Sequence, residues 1–89
     1  MRLQRNALID ALKIMIVKEC NLDLAPAKIA ADEQLIGSGL ALDSLDALQI
    51  AVAVKTSYGV RVEANAKGRR AMQSVASLAD FIIEASDTE

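Results

Sequence analysis

Between Leu3 and Cys20 the apolar positions Leu8, Leu12 and Met15, flanked by Ile9 and Ile16, recur at the spacing of one helical face, while Arg2, Asn6, Asp10 and Lys13 follow the other. The spacing predicts a first amphipathic helix. Asn21, just beyond it, is a residue type that tolerates the left-handed conformation in which helices often end. From Asn21 to Asp43 no period is sustained, Pro26, Gly37 and Gly39 interrupt the pattern, and the stretch is too long for an unstructured connection inside a compact domain. It reads as an ordered crossing with a short helical turn near Pro26–Ile29. Leu22, Leu24, Ile29, Leu35, Leu40 and Leu42 are spaced along it as anchors whose burial offsets part of its ordering entropy.

Ser44 to Tyr58 predicts a second helix, with Leu45, Leu48 and Val52 on one stripe and Ala47, Ile50, Ala51 and Val54 widening it until the helix is apolar nearly all round. In so small a domain such a helix is either central or keeps one face for a partner. Gly59 ends it. The polar, basic stretch Glu63–Arg70 leaves room for one short helix, and Ser74 then caps a last helix in which Val75, Leu78, Ala79 and Ile82 recur. The pattern predicts an all-α fold: a four-helix bundle with a long ordered loop between helices 1 and 2 and a short third helix, in a single domain spanning residues 1–89.

Composition agrees. Hydrophobic residues make up 53% of the chain but aromatics only 2%, so the core must be built from Leu, Ile, Val, Ala and Met. No apolar run is long enough to cross a membrane, and the opening residues carry charges where a signal peptide needs an apolar run, so a cytoplasmic monomer with no membrane span is expected. The net charge of −2 conceals a segregation: Asp23 to Asp46 holds five acids against Lys28, and Lys55 to Arg70 holds five bases against Glu63. Charge sorted by sign along a chain describes either two solvated faces or an oriented partner surface. Arg69 and Arg70 do not predict nucleic-acid binding, because the chain is net acidic and no aromatic is interleaved with the bases.

The chemistry open to the chain is narrow. It has no His and one Cys, which excludes Ser-His-Asp and Cys-His centres and zinc-ligand sets. Asp43 with Asp46, and Asp32 with Glu33, read as caps and surface acids, and Gly37-Ser38-Gly39 lacks the Lys-Ser or Lys-Thr pair of a phosphate loop. Cys20, Met15 and Met72 read as core fillers, and Tyr58 and Phe81 are expected in the core. What remains is Leu40-Ala41-Leu42-Asp43-Ser44-Leu45-Asp46, which puts a hydroxyl in the first turn of a helix next to an acid able to cap it. A phosphate on Ser44 would lie against the positive end of the helix. By physics alone, Asp43 or Ser44 as a plain N-cap accounts for these residues equally well.

The segment Leu40-Ala41-Leu42-Asp43-Ser44-Leu45-Asp46-Ala47-Leu48 resembles the attachment motif of acyl carrier proteins. Ile29, Asp32 and Leu35 resemble that family's loop before the motif, Tyr58-Gly59-Val60-Arg61-Val62 its exit from the second helix, and Ser74-Val75-Ala76-Ser77-Leu78 the start of its last helix. The resemblance implies that a phosphopantetheinyl transferase moves 4′-phosphopantetheine from coenzyme A onto Ser44. It implies further that acyl groups ride as thioesters on this arm between acyl-transfer and condensing enzymes, and that Asp43, Leu45, Asp46, Gln49 and Val52 meet those partners. The protein would then be a carrier and not itself an enzyme. Ala41 replaces the usual Gly of the motif, Gln49 stands where many fatty-acid carriers have Glu, and Lys55 and the run Lys67-Gly68-Arg69-Arg70 reduce the acidity further. These departures resemble specialised bacterial carriers of polyene, polyketide or modified-lipid pathways. Two other readings stand beside this one: a peptidyl or aryl carrier charged by an adenylating enzyme, and an unmodified helical interaction domain in which Ser44 only caps a helix.

Overall fold

The computed structural model describes residues 4–36 and 42–87, and within them the fold is all-α, with no strand among the described residues. Helix α1 spans Arg5–Glu19, a single 3-10 turn spans Pro26–Lys28, α2 spans Ser44–Tyr58, α3 Ala66–Ala71 and α4 Val75–Asp87. The expected anchor Leu40 and the Gly37-Ser38-Gly39 stretch lie outside the described residues.

The helix ends follow from local chemistry. Beyond α1, Asn21 adopts a left-handed φ of 53°, and the N–H of Leu22 reaches back to the carbonyl of Val17 at 3.0 Å, closing orphan acceptors of the last turn. Gly59, with φ 69°, does the same for α2, its N–H donating to the Lys55 carbonyl at 2.9 Å. Asn65 caps α3 by accepting the Gly68 N–H at 2.8 Å. At the start of α4, Ser74 Oγ accepts the Ser77 N–H at 3.1 Å while Ser77 Oγ accepts the Ser74 N–H at 3.0 Å, a reciprocal cap made from two serines.

One apolar core joins α1, α2, α4 and the long crossing. Leu8, Leu12 and Ile16 of α1 meet Ile50 and Val54 of α2, Val75, Leu78, Ala79 and Ile82 of α4, and Met72 from the turn before α4. The long crossing contributes Ile29, Leu35 and Leu42, all buried, with Leu22 and Leu24 half-buried beside them. Three backbone bonds tie it down: Ala76 N–H to the Ala31 carbonyl at 2.8 Å, Leu35 N–H to the Gln73 carbonyl at 3.0 Å, and Leu42 N–H to the Leu35 carbonyl at 3.0 Å. The crossing is thereby stitched to the start of α4 on one side and to the approach to α2 on the other. No polar or charged side chain is buried among the described residues.

Four expected core residues sit further out, Cys20 at the end of α1 among them. Met15, Tyr58 and Phe81 are only half-buried, each packed against the edge of the core. Lys67 Nζ lies over the Phe81 ring, 5.8 Å from its centroid, within reach of a cation–π attraction.

Candidate functional site

The approach to α2 is extended at Asp43, with φ −101° and ψ −176°, so that the side chain of Asp43 folds back over the first turn. Its Oδ1 accepts the Asp46 N–H at 2.9 Å, and Asp46 Oδ2 accepts the Asp43 N–H at 3.2 Å. This reciprocal box assigns the capping role to Asp43 and Asp46. Ser44 occupies the first helical position, exposed to solvent, and its hydroxyl makes no hydrogen bond among the described residues. Of the two residues that could have been the plain cap, it is Asp43. The Ser44 hydroxyl is left accessible, at the positive end of a fifteen-residue helix, with no neighbouring base to activate it.

Helix α2 turns two apolar faces in different directions. Ile50 and Val54 are fully buried against α1 and the core, whereas Leu45, Leu48 and Val52 are 62%, 59% and 57% exposed. The stripe most conspicuous in the sequence is therefore the outward one. Asp43, Leu45, Gln49 and Val52 lie on the exposed side of the helix near Ser44, while Asp46 is half-buried and occupied in the cap.

Beside Ser44 opens an apolar cavity of about 520 Å³. Ser44, Ala47, Leu48 and Ala51 of α2 form one wall, and Val62 and Met72 stand opposite. The third helix supplies Gly68 and Arg69 to the same lining. Arg69 was legible only as part of a basic run, and no short-range signal separates it from Lys67 and Arg70. The other two cations of the run face elsewhere. Lys67 and Arg70 line a separate, more open cleft of about 320 Å³ between α3 and α4, with Asp80 and Glu84. Asp80 is also the partner of Arg5, whose Nε lies 2.7 Å from Oδ1 in an exposed ion pair.

Cys20 ends α1 under the start of α2, with Sγ donating to the Asp46 carbonyl at 3.9 Å. Burial pushes its thiol up to about 11, helped by the negative charges of Asp46, Glu19 and Asp43. Such a thiol is protonated at neutral pH and a poor nucleophile, in keeping with a packing role. No group of three residues able to hold a metal ion occurs among the described residues, and no helix there is long and apolar enough to cross a membrane. No protein-family model matches the chain, and no curated protein matches it.

Proposed function

We propose that this protein is an acyl carrier of the four-helix carrier type, in which Ser44 is the covalent anchor of a phosphopantetheine arm. The single observation that carries the reading is the state of Ser44: an exposed hydroxyl at the start of a long helix, free of the capping duty that Asp43 and Asp46 perform, beside an apolar cavity. The family resemblance of the surrounding sequence supports the same assignment. Attachment joins Ser44 Oγ to the phosphorus next to the pantetheine of coenzyme A as the bond from that phosphorus to the bridging pyrophosphate oxygen breaks. Adenosine 3′,5′-bisphosphate leaves, and the hydroxyl proton passes to a base of the transferase. When bound, the arm supplies a terminal thiol that holds an acyl group as a thioester.

The chain's own residues do the rest. The helix N-terminus favours the phosphodiester charge at Ser44. The exposed trio Leu45, Leu48 and Val52 offers partner enzymes an apolar contact at the edge of the anchor, and the cavity behind Leu48 shelters the cargo. With Gln49 and Lys55 exposed on α2, that contact is less anionic than an all-acidic helix would make it, which favours partners of a specialised pathway over those that dock through basic patches alone. The test is to incubate the purified chain with coenzyme A and a broad-specificity phosphopantetheinyl transferase and to record its intact mass. One arm is expected on the natural chain and none on Ser44→Ala; an unchanged mass for the natural chain refutes the reading and leaves an unmodified interaction domain.

A further inference from the structure

We propose that Arg69 makes the cavity beside Ser44 selective for acyl groups that carry a hydrogen-bond-accepting oxygen, a ketone or a carboxylate, along the chain. The inference rests on the carrier reading and concerns what the carrier holds.

The first support is how the basic run divides. In α3, Lys67 and Arg70 are three residues apart and share a face, which turns toward α4. Lys67 lies over the Phe81 ring, and the carboxylates of Asp80 and Glu84 line the same cleft, so these two cations have countercharges at hand. Arg69 points its share of the helix surface at the other side. Exposed at the rim, it lines the Ser44 cavity, and among the described residues its guanidinium makes no hydrogen bond and no ion pair.

The second support is that the backbone carrying Arg69 is pinned. Its N–H donates to the Asn65 carbonyl at 2.9 Å, and the preceding Gly68 donates to the Asn65 side chain at 2.8 Å. Gly68 itself is buried against the backbone of Glu63, at a distance no other residue type would allow. The start of the arginine side chain is therefore fixed against the segment that forms the far wall of the cavity. The carboxylate of Glu63 shares the cavity lining with Arg69 as a nearby countercharge, but it accepts from Asn65 Nδ2 at 3.3 Å and forms no ion pair with the guanidinium.

The chemistry follows from solvation. A methylene chain gains from apolar walls such as Ala47, Ala51, Val62 and Met72 and gains nothing from a guanidinium. An oxygen carried into the same space loses its water and needs a donor there. Arg69 is a rigid fork of charged donors, and the exposed amide of Gln73 lines the cavity with it. A cargo with a ketone or carboxylate is thus held by both walls and donors, and a saturated one by walls alone.

The experiment loads the natural chain and Arg69→Met, which keeps the apolar stem, with three arms of similar length: hexanoyl, 3-oxohexanoyl and adipoyl. Intact mass confirms loading, and the rate of thioester cleavage by hydroxylamine reports sheltering. Comparing each arm between the two proteins removes intrinsic differences in thioester reactivity. Cleavage of at least one oxygenated arm is expected to be roughly tenfold faster on Arg69→Met, with the hexanoyl arm changed less than about twofold. Which of the two responds tells a ketone from a carboxylate. The Arg69 Nε–H resonance of the natural chain should shift with the responding arm and not with hexanoyl. Equal rates for both oxygenated arms in the two proteins overturn the inference, as does an equal acceleration of all three arms, which would make Arg69 a packing residue. Failure of all three arms to load on the natural chain overturns the carrier reading itself.

Discussion

Gly68→Ala reverses the sign that helix propensity alone would give. Alanine in place of glycine inside a helix ordinarily stabilises by about 1 kcal/mol, because the unfolded chain loses freedom it no longer has to surrender. Gly68 has ordinary helical backbone angles, so nothing in its conformation forbids the change. Its surroundings do. A methyl group built there would lie 2.8 Å from the carbonyl carbon of Glu63 and 3.3 Å from its nitrogen, with the carbonyl oxygen closer still. All three are backbone atoms that cannot rotate aside, and comfortable carbon contacts begin near ~3.5 Å. Either α3 or the segment at residue 63 must move by something on the order of 1 Å, which costs up to about 3 kcal/mol as overpacking. The movement also strains the 2.8 Å bond from the Gly68 N–H to Asn65, whose full loss would cost about 1 kcal/mol. Set against the propensity gain, the net expectation is a loss of about 2 kcal/mol, or roughly 8–16 °C in Tm for a domain of this size. Urea unfolding followed by circular dichroism at constant m-value measures it directly. A midpoint equal to or above that of the natural chain would show that α3 does not pack closely on the Glu63 backbone and that the backbone carrying Arg69 is not pinned there.

Other expectations are tied to single contacts. Asp43→Ala should cost about 1 kcal/mol of stability through loss of the capping box, whereas Ser44→Ala should stay within about 0.5 kcal/mol; chemical denaturation of both separates cap from anchor. On the same helix, Ile50→Ala should cost about 2–5 kcal/mol because the side chain is fully buried, while Leu48→Asn should be close to neutral because Leu48 is 59% exposed; thermal melts that rank them the other way would refute the assigned faces. Cys20, with its thiol raised to about 11, should react with iodoacetamide at pH 8 on the order of a hundredfold more slowly in the folded chain than in urea. The same shift sets a sign for stability against pH. The unfolded thiol ionises first, so the folded state retains the extra proton and stability declines as pH rises from the ordinary thiol range toward about 11, a decline that Cys20→Ala should remove.

Much of the fold is legible in the sequence. The bounds of α2 at Ser44 and Tyr58, the left-handed Asn21, the turn at Pro26 and the Ser74 cap all came from residues within a few positions of the feature they cause. Caps and glycine stops are local hydrogen-bond and steric effects, and local effects are written in adjacent letters. The buried Ile29, Leu35 and Leu42 of the long crossing were likewise marked by being apolar in a stretch with no period. Half-buried Met15, Cys20, Tyr58 and Phe81 were not foreseen, because an edge position differs from a core position only in what packs over it.

The candidate site divides along the same line. The sequence by itself determined that Ser44 begins a helix behind an acid able to cap it, and that this helix is apolar on nearly every side. Which residue does the capping, which apolar face turns inward, and which of three neighbouring cations meets the cavity were decided by tertiary structure alone. A helix apolar all round has no periodic signal to choose its core face. That choice is a competition among whole helix surfaces for burial, won where α1 closes over Ile50 and Val54 and leaves Leu45, Leu48 and Val52 outside. Arg69 parts from Lys67 and Arg70 for a related reason: the rotation of α3 is set by Gly68 against the backbone of Glu63, a contact between segments whose geometry no short-range pattern specifies.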